Sequence, residues 1–163
     1  MPAGLLDGIR VLDLGSGISA PWCAKILADY GAEVIKVESP GSGDDARRMG
    51  PFAGDDPNLE KSVTFLYLNT NKKGVTLDPS TVSGRALLNR LVADADVLVE
   101  NHPPARSKAL GLDHVSLAQI NPGLVLTSIP PFGQTGPYSD FEATDIVTYA
   151  LSGLMYHSGD SDQ

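Results

Sequence analysis

Five short apolar runs recur along the chain, at residues 9–14 (IRVLDL), 33–37 (EVIKV), 74–77 (GVTL), 97–100 (VLVE) and 124–129 (LVLTSI). A run that is apolar at nearly every position suits a strand covered on both faces, and several of the intervening segments are long enough for a crossover helix. Strands joined by helical crossovers lie parallel. The pattern therefore predicts an α/β fold: a Rossmann-like, open, mainly parallel sheet with helices on both faces. At 163 residues, with 42% hydrophobic and 20% charged residues, the chain has enough apolar material for one sizeable core and is expected to form a single domain.

The first helix is expected over residues 20–30, burying Trp22, Ile26, Leu27 and Tyr30 and stopping at Gly31. A second should begin after Asp78-Pro79-Ser80, with Pro79 tolerated in its first turn and Leu87, Leu88, Leu91 and Val92 buried. A third, short helix is expected over residues 104–110, ending at Gly111. Residues 39–61 mix Gly, Pro, several acids, Arg47, Arg48 and Lys61, and read as a mobile surface loop. The glycine- and proline-rich stretch at 130–142 (PPFGQTGPYSDFE) follows a strand end, where open α/β sheets place ligands.

Net charge −8 leaves no general basic field for a nucleic-acid backbone or an anionic membrane, so an anionic ligand needs a local site. The single cysteine, Cys23, cannot form an internal disulfide, and no basic start precedes a long apolar run near Met1. A cytoplasmic protein is expected, with no membrane span and no nucleic-acid partner. The histidines lack metal-ligand spacing, so no metal site is expected.

The first strand-like run closes on Gly15-Ser16-Gly17, and the second ends on Glu38. In a dinucleotide or S-adenosylmethionine site, glycines let the chain approach the ligand and such an acid accepts ribose hydroxyls. Ser19 stands where the next glycine belongs, so Gly15 and Gly17 read equally well as a plain strand-to-helix turn. Asp13, inside the first strand, reads as a buried hydrogen-bonded acid, and Cys23 as core.

Three separated blocks, residues 8–47, 65–78 (FLYLNTNKKGVTLD) and 94–155, together resemble in order and spacing the amino-terminal part of the family III CoA-transferases, which include carnitine-related CoA-transferases and alpha-methylacyl-CoA racemase. The resemblance runs from about Leu5 to Gly159. It implies a CoA-binding domain over residues 1–163, with the second domain and the return segment absent, and a substrate that is CoA or an acyl-CoA with no prosthetic group. The matching pocket positions are Ser16, Gly17, Ile18, Ser19 and Ala20 at the first turn, Leu77 and Asp78 near the adenine, and Asn101 and His102 along the pantetheine arm. The GQTGP loop at 133–137 matches a segment near the reacting end. Family members set cations against the CoA phosphates at positions matching Ser39, Ser80 and Ala109; Arg106, Lys108, Arg47, Arg48 and Lys72 are the nearby substitutes here, with Arg106 the one assigned to the site.

The family's nucleophilic aspartate falls roughly thirty residues past Thr144-Asp145-Ile146 by its pattern, beyond Gln163, so no catalytic residue is assigned in this chain. Racemases carry a His-Asp pair in that block, where Thr144 replaces the histidine. Asp145 is expected instead to sit in the first turn of a helix that Thr144 caps and that runs to Leu154. His102 is expected to line the pocket wall. The chain is thus read as an amino-terminal fragment, inactive alone and part of a homodimer when complete. Two alternatives stay open: a degenerate half-protein that pairs with another chain, and a methyltransferase using Gly15, Gly17 and Glu38.

Overall fold

A computed structural model describes residues 4–159. It contains β1 (Arg10–Asp13), α1 (Ser19–Asp29), β2 (Glu33–Glu38), α2 (Val63–Leu68), β3 (Lys72–Thr76), α3 (Val82–Ala93), β4 (Val97–Glu100), α4 (Pro104–Ala109), α5 (His114–Ala118), β5 (Val125–Ser128) and α6 (Asp145–Leu151). The five strands form one parallel sheet in the order β3-β2-β1-β4-β5. All five runs predicted from sequence are strands of this sheet, and helices cover both its faces.

Side chains alternate across the sheet, so neighbours on one strand serve different faces. Val11, Val34 and Val99 pack on one face with Ala20, Ala24 and Ala28 of α1. Leu12, Val37 and Leu98 pack on the other with Leu88 and Val92 of α3 and Leu117 of α5.

The buried face of α1 differs from expectation. Ala20, Ala24 and Ala28 face the sheet, while Trp22, Ile26 and Tyr30 are 42%, 39% and 57% exposed. Two apolar stripes run along this helix, and the small one is inside because alanines let the helix backbone approach the strands closely. Trp22 instead meets Tyr67 of α2, ring centroids 5.7 Å apart. On α3, Leu88 and Val92 are buried as expected, but Leu87 is half exposed. Pro79 lies ahead of that helix, whose N-cap is Thr81, its hydroxyl accepting from Gly84 N at 3.0 Å. Thr144 precedes α6 without a side-chain cap bond, and the helix stops at Leu151, before Gly153 turns left-handed at φ 79°.

Residues 39–61 lie mostly at the surface, as expected, but are anchored at two buried residues. They contain short 3-10 turns at Asp45–Arg48 and Ala53–Asp55, and Asp44 and Ala46 are buried at 3% and 0% exposure. The cause lies at the carboxyl rim of the sheet, where Asp44 finds its partners.

Candidate functional site

β1 stands at the centre of the sheet, with β2 on one side and β4 on the other, so the segments leaving β1 and β4 diverge and open a crevice at the carboxyl rim. A cleft of about 410 Å³ lies there. Its floor is apolar, from Leu14, Val37, Leu77, Leu110 and Leu112, and its walls are Gly15-Ser16, the 42–45 segment with Arg48, Pro79, and Asn101 through Pro103 with Arg106.

Of the residues singled out in the sequence, Ser16, Leu77, Asn101, His102 and Arg106 line this cleft, whereas Gly17, Ile18, Ser19, Ala20 and Asp78 do not. Ala20 is fully buried beneath the turn. The Asp78 carboxylate closes its own local turn, accepting from Ser80 N at 2.9 Å and Ser80 Oγ at 2.6 Å. Ser39 lines the cleft; Ser80 and Ala109 do not.

The backbone amides of the turn are occupied by the chain's own side chains. Gly15 N donates to Asp13 Oδ1 (3.1 Å), Ser16 N to Asn101 Oδ1 (2.9 Å) and Gly17 N to Asp44 Oδ1 (2.8 Å). Asn101 Nδ2 returns bonds to Ser16 O (2.7 Å) and Ser19 Oγ (3.0 Å), which clamps the exit of β4 to the turn after β1. The turn at 15–17 is thus a finished, internally bonded structure. The next opportunity is the start of α1, which Ile18 heads without a side-chain cap.

Beneath the turn lies a buried ionic group. Lys36, 2% exposed in the middle of β2, places Nζ 2.5 Å from Gly15 O, 2.6 Å from Asp44 Oδ2 and 3.6 Å from Asp13 Oδ2. The Lys36–Asp44 contact is an ion pair whose angle makes no regular hydrogen bond. Lys72 donates to Asp13 Oδ2 (2.8 Å), Pro21 O (2.7 Å) and Asn69 Oδ1 (2.9 Å), so all three of its donors are engaged and it is not a phosphate ligand. Burial pushes the Lys72 ammonium down from its ordinary value, opposed by the Asp13 charge.

Glu38 does not offer a free carboxylate to a ribose. Arg47 grips it with Nε at 2.7 Å and Nη2 at 2.9 Å, and Asp44 N adds a third bond at 2.9 Å. The Arg47 guanidinium holds Glu38 below the usual range despite partial burial, and Arg47 itself also bonds Glu60 and lies 3.8 Å over the Phe65 ring. Arg47 is thus structural. Arg48 is half committed, to Asp45 at 3.1 Å and Ser42 O at 2.7 Å. Arg106 lines the cleft with no ion-pair partner among the described residues.

At the end of β4, Glu100 is fully buried and accepts from His102 N at 2.7 Å and from the Ser128 hydroxyl, to which Gln134 of the GQTGP loop donates in turn. Burial raises its carboxyl, and those two donors partly offset this. Cys23 is half-buried against the α1 face of the core, where burial raises its thiol. Sequence reasoning missed Lys36, Asp44, Asp45 and Glu100. For Lys36 and Glu100 the available signal was charge inside runs that otherwise read as fully covered strands; Asp44 and Asp45, outside those runs, carried none.

His102 is a neutral wall of the cleft. Burial first, then the Arg106 cation, push its imidazole from the ordinary 6.5 down to about 4. An unfolded chain takes up a proton near 6.5 while the folded one does not until about 4, so stability declines as pH falls through that window. His102→Phe removes the titrating ring. Its loss of stability between about pH 7 and about pH 5 is expected to be smaller than the wild type's in urea unfolding at the two conditions, and equal losses would contradict the assignment.

The sheet order and the crevice at its switch point define an open, doubly wound α/β domain. The chain belongs to CoA-transferase family III, whose model matches residues 6–163. It is 43% identical over 159 residues to the succinate–glutarate CoA-transferase of Agrobacterium fabrum, covering 96% of this chain and 40% of that one. It is 40% identical over 155 residues to the human succinyl-CoA:glutarate CoA-transferase, covering 94% and 34%. The crystal structure of a CAIB/BAIF family protein from Brucella suis superimposes with a TM-score of 0.88 at 39% identity, covering 99% of this chain and 42% of that one. The chain thus spans about 40% of the length of these relatives.

Proposed function

We propose that residues 1–163 form the amino-terminal, CoA-binding domain of an acyl-CoA:carboxylic acid CoA-transferase, with CoA or an acyl-CoA as substrate and no prosthetic group. The observation that carries this is the family match over nearly the whole chain. The cleft supplies its physical counterpart. Leu77 and Pro79 offer an apolar edge for the adenine, Arg106 with Arg48 faces the phosphates, and His102-Pro103 borders the path of the pantetheine arm. Arg106 replaces cations that this sequence lacks at 39, 80 and 109.

Every acid lining the cleft is already held: Glu38 by Arg47, Asp44 by Lys36, Asp45 by Arg48 and the Ser16 hydroxyl. By the family resemblance the acyl-accepting carboxylate lies in polypeptide outside these residues, and residues 1–163 are accordingly read as binding without turning over. The reading carries with it a cytoplasmic address and, for a complete protein, a homodimer. Engagement of Glu38 weighs against the methyltransferase alternative. Among the described residues, no helix is long and apolar enough to cross a membrane.

Titration calorimetry tests the reading. Saturable CoA binding is expected, weakened roughly tenfold by Arg106→Ala through loss of a charge-assisted bond, with no exchange of CoA between acids. Saturable S-adenosylmethionine binding with none for CoA would overturn it.

One observation favours a second reading, a half-protein completed by another chain. Ile146, Leu151, Leu154 and Tyr156 are 66%, 65%, 57% and 90% exposed, a run of apolar side chains that suits a polypeptide partner. A chain that stays monomeric and captures no polypeptide carrying the remaining family region would remove it.

A further inference from the structure

A buried ion pair, Lys36 with Asp44, lies at the wall of the cleft. Asp44 is 3% exposed and Lys36 2% exposed, yet together they touch two separate segments of the wall. Asp44 Oδ1 accepts from Gly17 N at 2.8 Å and from Ala46 N at 2.7 Å, so one oxygen ties the turn after β1 to the first 3-10 turn of the 39–61 segment. Asp44 Oδ2 faces Lys36 Nζ at 2.6 Å, and the same Nζ donates to Gly15 O at 2.5 Å. Next to it, Asp45 N donates to Ser16 Oγ, and that hydroxyl donates back to Asp45 Oδ2, each at 3.0 Å. The 44–45 pair therefore grips all three residues of the glycine turn, directly or through Lys36.

We propose that Asp44 is a positioning residue for the nucleotide cleft: pinned by Lys36, its carboxylate holds the 15–17 turn and the 39–61 segment in the one arrangement that leaves the cleft open to ligand. The inference rests on the CoA-binding reading for its ligand, and on the geometry alone for its mechanism. A carboxylate is suited to this work because one oxygen can accept two amides while the other faces a cation. The lysine is suited because its stem crosses the covered strand β2 and delivers a charge beneath the turn.

The test compares the full chain with Asp44→Ala, Asp44→Asn and the double variant Lys36→Met/Asp44→Asn. Amide hydrogen exchange at Gly17 and Ala46 is measured alongside CoA affinity. Asp44→Ala is expected to raise exchange at both amides by roughly tenfold or more, and to weaken CoA binding roughly tenfold, because both the acceptor and the counter-charge are gone. Asp44→Asn keeps an acceptor oxygen but leaves Lys36 facing an amide. The double variant keeps that oxygen and removes the stranded cation, so it is expected to recover both readouts to within roughly threefold of wild type. A purely structural role would restore protection without restoring CoA affinity, and that result overturns the proposal. So does a folded Asp44→Ala with unchanged exchange at Gly17. Should Asp44→Ala fail to fold, the single and double asparagine variants decide: recovery in the double supports the proposal and its absence overturns it. If the wild type binds no CoA, the CoA reading falls, and the exchange pattern alone supports or overturns the positioning of the turn.

Discussion

Asp13→Ala is expected to destabilise the chain by about 3–5 kcal/mol, the range for breaking a buried ion pair by removing one partner. Asp13 is fully buried, and its carboxylate meets Lys72 at 2.8 Å, Lys36 at 3.6 Å and Gly15 N at 3.1 Å. Its removal strands the Lys72 ammonium, whose side chain is 1% exposed, and takes the acceptor from the first amide of the turn. The loss is a large share of the roughly 5–15 kcal/mol that holds a domain together, and should lower the urea midpoint by about 1 M or more. The charge explanation has its own control. Asp13→Ala/Lys72→Met leaves no buried unpaired cation, and should regain most of the midpoint despite having two substitutions instead of one. An unchanged midpoint in the single variant, or no regain in the double, would mean that water reaches Lys72 and the pair contributes little.

This ion group also marks where sequence reasoning runs out. That Asp13 is buried and bonded was legible, because it sits inside an apolar run. Its partner was not, because Lys72 lies 59 residues away and reaches it only once β3 is placed at the sheet edge beside β2. The five strands were legible for the same reason that Asp13 was: covered strands advertise themselves as apolar runs. The sheet order is a tertiary property that no run contains. For α1 the period was right and the face wrong, since both the 20/24/28 and the 22/26/30 stripes are apolar, and only the space between helix and sheet selects alanine. At 39–61 the polar composition read the surface correctly for most of the segment, but not for its anchors. Two of its charges, Asp44 and Arg47, instead point back at Lys36 and Glu38 of β2. For the cleft, five of the ten assigned positions line it, and the cations at 47 and 72 are excluded by partners that the sequence does not place next to them.

Gly15→Ala should be the most damaging single methyl group in the site. A Cβ there would lie 2.2 Å from Ala20 Cβ, 3.1 Å from Asn101 Oδ1 and 3.3 Å from Pro21 Cδ. The demand is for space, and it cannot be met by a rotamer change, because Ala20 is fully buried between α1 and the sheet. Helix α1 would have to withdraw, loosening its contacts with Val11 and Val99 and the Asn101 clamp on Ser16 together. Overpacking of this kind costs about 1–3 kcal/mol and often more where backbone must shift. Saturable CoA binding should be lost even if the fold survives. Gly17→Ala offers the contrast. Its φ of 75° strains an alanine by about 1–2 kcal/mol, but a Cβ there meets nothing nearer than Met49 Cε at 4.0 Å, so the Asp44 bond to its amide should persist and binding should weaken without vanishing. Gly15→Ala/Ala20→Gly removes the closest clash from the other side. It should recover thermal stability and CoA binding, less the roughly 1 kcal/mol that a glycine costs in a helix. A double variant as damaged as Gly15→Ala would show that the turn, and not the helix beneath it, is what the added methyl disrupts.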